Sequence, residues 1–248
     1  MLLLIDVGNT STTYGFYEKG SIRRVVHVDS YKFPKIVRHI LENDRLCAID
    51  SAVVSSVVPK ITHILRNLWS RRHLHNFLWI VGQNLPVKIR HNYKNIHKLG
   101  ADRLVNSFGA IHLYGAPLLI MDFGTALTCD YISKKGIFEG GLIIPGPEIS
   151  LRALEEKTAL LPAVPFPKKK AKLIGRDTKE GMSAGILQGY GAMADGLIER
   201  FKAKYGRKLQ AIATGGLAQG IRTYSTQINK VDPLLTLKSL YLAFKSRS

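Results

Sequence analysis

The stretch LLIMDFGTALTCD, residues 118–130, decides the fold of this chain. Four apolar residues lead into Asp122, which is followed by a spacer, a glycine and a small hydroxyl residue. An apolar run of this length that ends in a turn signal is typical of a strand buried on both faces. Asp122 would then lie at the carboxyl end of the strand, and Gly124 would let the backbone turn tightly beside a ligand.

The amino-terminal stretch repeats this arrangement. Residues 2–10, LLLIDVGNT, again run from apolar residues into an aspartate, a spacer and a glycine. Asp6 and Asp122 are separated by nearly half of the 248 residues. We therefore predict an α/β protein built from two similar halves, 1–115 and 116–248, which face each other across a cleft.

Hydrophobic periodicity predicts that each half begins with strands and continues with helices alternating with strands. In the first half we predict strands at 2–7, 12–17, 22–28, 47–54 and 78–81, and helices at 35–42, 59–69 and from Gly100 to about 114. In the second half we predict strands at 118–121, 127–132, 137–142 and 209–213, helices at 148–158, 178–205 and 236–244, and a Gly/Pro-rich loop at 140–147.

The charge balance is unusual, because 36 Lys and Arg face 18 Asp and Glu and give a net charge of +18. Such a charge raises the possibility of nucleic-acid binding. The basic residues are nevertheless scattered, and no helix-turn-helix, zinc or aromatic-interleaved signature accompanies them. The cluster at 168–170 lies among prolines and is predicted to be a solvated loop. We favour a generally basic surface that attracts anionic ligands, and expect no specific nucleic-acid partner.

Neither a membrane span nor a disulfide framework is expected. No apolar run approaches the roughly 18–20 residues that cross a bilayer, and residues 1–5 are predicted to be a strand rather than a signal segment. Cys47 and Cys129 are the two cysteines. Both are expected to be small buried hydrophobes, which suits a reducing, cytoplasmic setting.

Two Asp-x-Gly turns at equivalent strand ends suit a nucleoside triphosphate. Backbone N–H groups of 8–10 and 124–126 can bind phosphate oxygens, and the hydroxyls of Thr10 and Thr125 add donors. Asp6 and Asp122 can hold the cations that neutralise the phosphates. The chain has no Gly-x4-Gly-Lys-[Ser/Thr] motif, so this is not a P-loop.

Asp102 is a candidate general base, because it falls at the predicted start of a helix. The helix dipole keeps a carboxylate ionised at that position, and an ionised carboxylate can accept the proton of an acceptor hydroxyl. Asp is also a favoured helix N-cap. From spacing alone, catalysis and capping are equally good explanations of this residue.

The order of motifs resembles one family. DVGNT at 6–10, GADR at 100–103, DFGTA at 122–126, GGLIIPG at 140–146 and TGG at 214–216 look like those of type III pantothenate kinases. These belong to the superfamily of acetate and sugar kinases, actin and heat-shock ATPases, which bind ATP between two duplicated ribonuclease-H-like domains. The resemblance covers the whole chain, and GADR followed by DFGT is its most specific part.

The resemblance implies ATP-dependent phosphorylation of pantothenate, the first step of coenzyme A biosynthesis, by a cytoplasmic homodimer. It makes Asp102 the proton acceptor and assigns pantothenate contacts to Tyr93, Gly100, Ala101, Asp102, Arg103 and, from the partner subunit, Thr178. Thr178 could instead cap its helix, and Arg103 could be a surface residue. Ile96 stands where the family commonly has Pro three residues after the tyrosine.

The resemblance also implies the ATP and cation sites. ATP would contact Asp6, Val7, Gly8, Asn9, Thr10, Ser11, Thr12, Thr13 and Thr125. Mg²⁺ would lie near Asp6, and a monovalent cation, K⁺ or NH₄⁺, would bind Asp122. Two other functions stay open at this point: a non-enzymatic transcription accessory factor of the same fold, which the positive charge would suit, and a kinase for another small alcohol.

Overall fold

The computed structural model describes residues 1–42, 49–71, 78–167 and 169–247. The chain divides into two compact units. The first comprises Met1–Ile89, Lys94–Leu113 and Leu234–Ser248, and the second comprises Arg90–Tyr93 and Tyr114–Pro233. Both units therefore draw on more than one stretch of sequence. The division into domains 1–115 and 116–248 stays a prediction.

The first unit is a five-stranded mixed sheet with helices. Its elements are β1 (Leu2–Val7), β2 (Ser11–Glu18), β3 (Ser21–Asp29), α1 (Phe33–Glu42), β4 (Ser51–Ser56), α2 (Pro59–Arg71), β5 (Leu78–Ile80), a 3₁₀ turn (Ile96–Lys98) and α3 (Ala101–Tyr114). The last helix of the chain, α7 (Leu235–Lys245), also belongs to this unit. The strand order is β3-β2-β1-β4-β5. β1 is antiparallel to β2 and parallel to β4.

Alternation along β1 determines which side chains enter the core of this unit. Leu3 and Ile5 pack with Phe33 of α1 and Leu65 of α2 in one hydrophobic cluster. Because side chains of a strand alternate between faces, Asp6 projects from the opposite face of the sheet. α7 packs against β1, β2 and β4. The carboxylate of Asp6, near the end of β1, therefore lies on the face of the sheet opposite α1 and α2.

The second unit is a six-stranded mixed sheet with its own helices. Its elements are β6 (Arg90–His91), β7 (Leu118–Phe123), β8 (Ala126–Ile132), β9 (Ile137–Pro145), α4 (Pro147–Lys157), α5 (Thr178–Tyr205), β10 (Gln210–Thr214), α6 (Ala218–Arg222) and β11 (Lys230–Val231). The strand order is β11-β10-β7-β8-β9-β6. β7 is antiparallel to β8 and parallel to β10, as β1 is to β2 and β4.

The core of the second unit lies between β7, β8 and the long helix α5. Leu119 and Met121 of β7 pack there with Leu187 and Ala194 of α5, and Cys129 of β8 is fully buried among them. α5 spans 28 residues without a break, and Gly191 lets it approach residue Tyr224 closely. A Cβ at Gly191 would lie 2.3 Å from the Tyr224 carbonyl oxygen.

The predicted α/β class and the strand-first order are confirmed in both units. The prediction of a loop over 140–147 is wrong as far as Pro145, because β9 continues to that residue. Glycines allow this: Gly140 has a φ of +116°, and a Cβ at Gly141 would lie 2.2 Å from the Cys129 carbonyl oxygen. The start of the strand predicted from Cys47 lies outside the described residues, and the strand itself is Ser51–Ser56.

No helix in the described ranges is both long enough and apolar enough to cross a membrane.

Candidate active site

The Asp6 turn connects β1 to β2. The Gly8 N–H donates to the Ser11 carbonyl oxygen at 3.0 Å, and a Cβ at Gly8 would lie 2.9 Å from that oxygen. Asn9, Thr10 and Ser11 are exposed at the tip. Their backbone N–H groups and hydroxyls are therefore accessible to a ligand such as a phosphate.

Ser30 stabilises this turn from its buried side, and no sequence pattern pointed to this residue. Its hydroxyl donates to the Gly8 carbonyl oxygen at 2.6 Å and lies 2.9 Å from the Thr12 hydroxyl. The Ser30 N–H also donates to the Thr10 carbonyl oxygen at 2.9 Å. Thr12 is fully buried, so its hydroxyl supports the turn from inside, and Val7, at 1% exposure, is buried as well.

Asp6 and Asp122 occupy equivalent positions in their own sheets. In the first unit Asp6 pairs with Thr13 on β2 and with Ser55 on β4. In the second unit Asp122 pairs with Thr128 on β8 and with Thr214 on β10. Each carboxylate thus lies in a row with a hydroxyl residue on either neighbouring strand. This repetition confirms the predicted similarity of the two strand-and-turn segments.

Glycines from two other segments close around the Asp122 turn. A Cβ at Gly146 would lie 2.3 Å from the Gly124 carbonyl oxygen, and the Gly146 N–H donates to the Thr125 carbonyl oxygen at 3.1 Å. Gly215 has a φ of +90°, and a Cβ there would lie 2.4 Å from Asp122 Oδ1. Gly216 is exposed with open space above it. The backbone around the Asp122 turn therefore forms a recess that side chains at Gly146 or Gly215 would fill.

Asp102 is the second residue of α3, and it is half-buried. Its Oδ1 accepts a hydrogen bond from the Arg103 N–H at 2.8 Å. A Cβ at Gly100 would lie 2.5 Å from the same oxygen, so the glycine makes room for the carboxylate. Because α3 begins at Ala101, Asp102 is not the N-cap residue itself. Arg103 is buried, with 9% exposure, and is not the surface residue that its position alone allowed.

Tyr93 lies in the second unit, two residues after the end of β6. Its ring packs edge-on against Phe138, with 5.6 Å between centroids, and a Cβ at Gly140 would lie 3.7 Å from its Cδ2. The Asn92 N–H donates to the Phe138 carbonyl oxygen at 2.9 Å. The edge of β9 therefore fixes Tyr93, and Ile96 begins the short 3₁₀ turn that follows.

Thr178 is the first residue of α5 and is exposed. The N-cap is Asp177, whose side chain accepts the Glu180 N–H at 2.8 Å. Glu180 in turn accepts the Arg176 N–H at 2.9 Å. Asp177 can cap because its backbone is extended, with φ −141° and ψ 175°. Thr178 is thus not the capping residue, and the alternative that it caps α5 is wrong.

The carboxylates of Asp6 and Asp122 suit a metal ion that is bound together with the phosphates of a nucleotide. Within the described part of the chain, no three His, Cys, Asp or Glu side chains gather into a metal-holding group. Mg²⁺ in kinases is commonly held by one or two carboxylates together with substrate phosphates and water. A single half-buried carboxylate beside a backbone cradle, as at Asp6 and at Asp122, suits that mode of binding.

Comparison with known proteins identifies a family. The sequence model of the type III pantothenate kinase family matches residues 2–200. Among solved structures, a conserved putative Baf family transcriptional activator from Campylobacter jejuni has a TM-score of 0.63 and 17% identity, covering 98% of this chain and 97% of that one. A putative 2-dehydro-3-deoxygalactonokinase from Sinorhizobium meliloti has a TM-score of 0.58 and 12% identity, covering 99% of both chains.

A third structure extends the same fold likeness. The ethanolamine utilization protein EutJ from Carboxydothermus hydrogenoformans has a TM-score of 0.53 and 15% identity, covering 97% of this chain and 88% of that one. At these identities the likeness to the three structures concerns the α/β fold alone.

Proposed function

The chain belongs to the type III pantothenate kinase family, which makes it an ATP-using phosphotransferase, and from this membership we propose that it phosphorylates pantothenate to 4'-phosphopantothenate. This reaction is the first step of coenzyme A biosynthesis and takes place in the cytoplasm. The observation that carries the proposal is Asp102 at the start of α3, with Gly100 leaving space for its carboxylate.

Asp102 acts as the general base in this proposal. The carboxylate orients the primary hydroxyl of pantothenate and accepts its proton as the bond to phosphorus forms. Phosphoryl transfer has a loose transition state, so the base acts late and positioning supplies most of the rate. The Arg103 N–H bonds Oδ1 and so fixes the direction of the carboxylate. Gly100, Ala101, Arg103 and Tyr93 line the acceptor.

The two Asp-x-Gly turns bind the nucleotide. The Asp6–Thr13 segment contributes the exposed backbone of Asn9 and the side chains of Thr10, Ser11 and Thr13, while Val7, Gly8 and Thr12 form the inner side of the turn that supports them. Thr125 contributes from the second turn. Asp6 would hold Mg²⁺, which supplies charge neutralisation on the phosphates when it is bound.

Asp122 holds a monovalent cation, K⁺ or NH₄⁺. The support is local: the carboxylate is half-buried, lies in a row with Thr128 and Thr214, and is closed on one side by Gly215. Oxygen ligands of this kind suit a hard cation. Turnover should therefore depend on the identity of the monovalent salt.

The protein works as a homodimer in which Thr178 reaches the acceptor of the partner subunit. Support comes from two exposed apolar side chains shortly before this residue: Leu173 and Ile174 are each 75% exposed. Large apolar side chains at such exposure mark interaction surfaces when they cluster. A partner that covered this segment would also contact the first turn of α5.

Product identification tests the proposal. The protein would be incubated with Mg-ATP, KCl and pantothenate, and the products analysed by mass spectrometry. We expect a singly phosphorylated pantothenate whose phosphate lies on the primary hydroxyl. A panel of other small alcohols, including pantothenol, tests the alternative acceptor. Phosphorylation of one of those alcohols without phosphorylation of pantothenate would contradict the substrate assignment.

A second candidate is a non-enzymatic transcription accessory factor, which the net charge of +18 favours. A charge of that size attracts DNA, but the attraction falls steeply with salt. DNA retention that persists at physiological salt, together with no phosphoryl transfer under any cation, would make this the better account. Retention lost at physiological salt would leave only nonspecific attraction.

A further inference from the structure

Tyr190 of α5 places a hydroxyl at the edge of the apolar core of the second unit. Its ring packs in that core, and only 8% of the residue is exposed. Its hydroxyl oxygen lies 2.6 Å from the Pro145 carbonyl oxygen and 2.7 Å from the Ser150 hydroxyl oxygen. Pro145 ends β9, and Ser150 lies in the first part of α4. Tyr190 therefore connects α5 to both of these elements.

The two hydrogen bonds of the Tyr190 hydroxyl have a definite direction. A carbonyl oxygen can only accept, so the single hydroxyl proton of Tyr190 goes to Pro145. The Ser150 hydroxyl must then donate to the Tyr190 oxygen. Hydrogen bonds in such a chain polarise one another, so the bond from Ser150 strengthens the bond from Tyr190 to Pro145.

The Pro145 carbonyl belongs to the peptide group that joins Pro145 to Gly146. The N–H of the same peptide group donates to the Thr125 carbonyl oxygen at 3.1 Å. A peptide group is planar, and in the trans form its C=O and N–H point in opposite directions. Tyr190 and the Thr125 carbonyl thus hold the two ends of one rigid group. Fixing its oxygen also fixes the direction of its N–H.

The orientation of this peptide group affects the Thr125 turn, because the two are in close backbone contact. A Cβ at Gly146 would lie 2.4 Å from the Thr125 carbonyl oxygen. Pro145 pairs with Ala126 in the register of β8 and β9 but has no N–H to donate to β8. Closely packed groups transmit small displacements to their neighbours. A rotation of the Pro145–Gly146 peptide would therefore move the backbone of the Thr125 turn.

We propose that Tyr190 is a positioning residue for nucleotide binding. Its hydroxyl orients the Pro145–Gly146 peptide, and this peptide keeps the Thr125 turn in the shape that receives phosphate oxygens. Tyr190 acts through the peptide and does not touch ATP. The inference rests on the proposed function, because it takes the Thr125 turn to be a contact of ATP.

Tyr190→Phe tests the proposal, because it removes the hydroxyl and keeps the ring in the core. We expect the Kd for MgADP, measured by isothermal titration calorimetry without pantothenate, to rise about three- to tenfold, as for the loss of one hydrogen bond. The KM for ATP should rise by the same factor, while kcat and the KM for pantothenate stay within about twofold. A purely structural role would lower the melting temperature and leave the Kd for MgADP unchanged.

Ser150→Ala provides a second, milder test. It removes the donor to the Tyr190 oxygen and should raise the Kd for MgADP about twofold, because the bond to Pro145 loses its polarising partner. In the Tyr190→Phe background the same substitution should have no further effect, since Ser150 acts through Tyr190. Independent, additive effects of the two substitutions would contradict the hydrogen-bonded chain.

Tyr224→Phe is the matched control in the same unit. The Tyr224 hydroxyl accepts a hydrogen bond from the Ala171 N–H, away from the Pro145–Gly146 peptide, so this variant should keep the parental Kd for MgADP. A parent that binds MgADP while Tyr190→Phe binds it equally well would overturn the positioning role alone. Equal weakening by Tyr224→Phe would do the same. A parent that does not bind MgADP would overturn the proposed nucleotide site and this inference with it.

Discussion

Gly215 is the residue whose backbone most directly constrains the Asp122 carboxylate. With φ at +90°, a Cβ at this position would lie 2.4 Å from Asp122 Oδ1 and 2.7 Å from the Phe123 carbonyl carbon. Gly215→Ala should therefore displace the carboxylate and strain the backbone. We expect the KM for ATP to rise at least tenfold and the free energy of unfolding to fall by about 1–3 kcal/mol. Coupled kinetics and urea unfolding measure the two effects.

Gly136→Ala is the matched control for backbone strain alone. Gly136 also has a positive φ, +70°, but open space surrounds the position of its Cβ. This variant should lose about 1 kcal/mol of stability from the left-handed backbone and keep the KM for ATP. If Gly215→Ala kept a normal KM for ATP as well, the close contact with Asp122 would have no role in nucleotide binding.

Asp102→Asn tests the proposed base while keeping the shape of the side chain. The amide oxygen can still accept the Arg103 N–H, so α3 should begin as before. We expect kcat to fall about 10²–10⁴-fold with little change in the KM for ATP, because proton acceptance is lost and nucleotide binding is not. Asp29→Asn, at an exposed carboxylate, should leave kcat unchanged. An Asp102→Asn enzyme with near-normal kcat would show that this carboxylate is not the base, leaving it only the hydrogen bond from the Arg103 N–H at the start of α3.

Single residues were predictable from sequence where one strand and its turn determine their place. Asp6 and Asp122 follow directly from an apolar run closed by a glycine, and both lie at strand ends. Ser30 was not predictable, because its contacts to Gly8 and Thr12 form only when β3 returns to the β1–β2 turn. A lone serine after a strand carries no such signal.

At the scale of elements, Asp195 joins α5 to the segment before β11. Its carboxylate accepts hydrogen bonds from the Ser225 hydroxyl at 2.5 Å and from the N–H groups of Thr226 and Gln227 at 2.9 and 3.0 Å. Burial acts to raise the pKa of this carboxyl, but the hydrogen bonds outweigh it and hold the pKa below its ordinary value. The bonds thus stabilise the ionised form in the folded state.

A depressed folded-state pKa gives a definite pH dependence. The stabilisation should be complete above the unfolded pKa of about 4 and should be lost as the pH falls through the folded-state pKa. Asp195→Asn should therefore melt about 2–4 °C below the parent at pH 7, for a loss of about 1 kcal/mol, and the gap should narrow toward pH 3. Glu199→Gln, exposed on the same helix, is the control. A gap that did not change between pH 7 and pH 3 would contradict the assignment to the ionised carboxyl.

Elements were predictable where one periodicity ran uninterrupted. α5 begins and ends at the predicted residues, 178 and 205, since its five interior glycines pack or face solvent without breaking it. β9 was cut short in the prediction, because two adjacent glycines are ordinarily a turn signal. Here they let β9 lie close to β8, a contact made by backbone atoms that no side-chain pattern reports.

For the whole molecule, the homodimer and the role of Thr178 can be tested together by subunit mixing. Asp102→Asn and Thr178→Ala proteins should each be nearly inactive alone. If Thr178 acts on the partner's acceptor, mixed dimers contain one intact site and one doubly defective site. Mixing equal amounts and allowing exchange should then restore roughly a quarter of parental activity per chain, since half of the dimers regain one of two sites.

No recovery after verified exchange would place Thr178 in the active site of its own chain. A monomer in sedimentation experiments would contradict the dimer itself. That each half begins with strands along the chain was predictable at this scale from the repeated motif, whereas the return of α7 to the first unit was not. The short apolar pattern of 236–244 indicates a helix but not the sheet against which it packs.

The most direct test of the central claim is ADP release coupled to an optical readout, with purified protein, Mg-ATP and KCl, at increasing pantothenate. Kinase activity toward pantothenate predicts ADP release that saturates with pantothenate, is close to zero without it and is lost in Asp102→Asn. ADP release at the same rate with and without pantothenate would contradict the claim, leaving an ATPase of this fold.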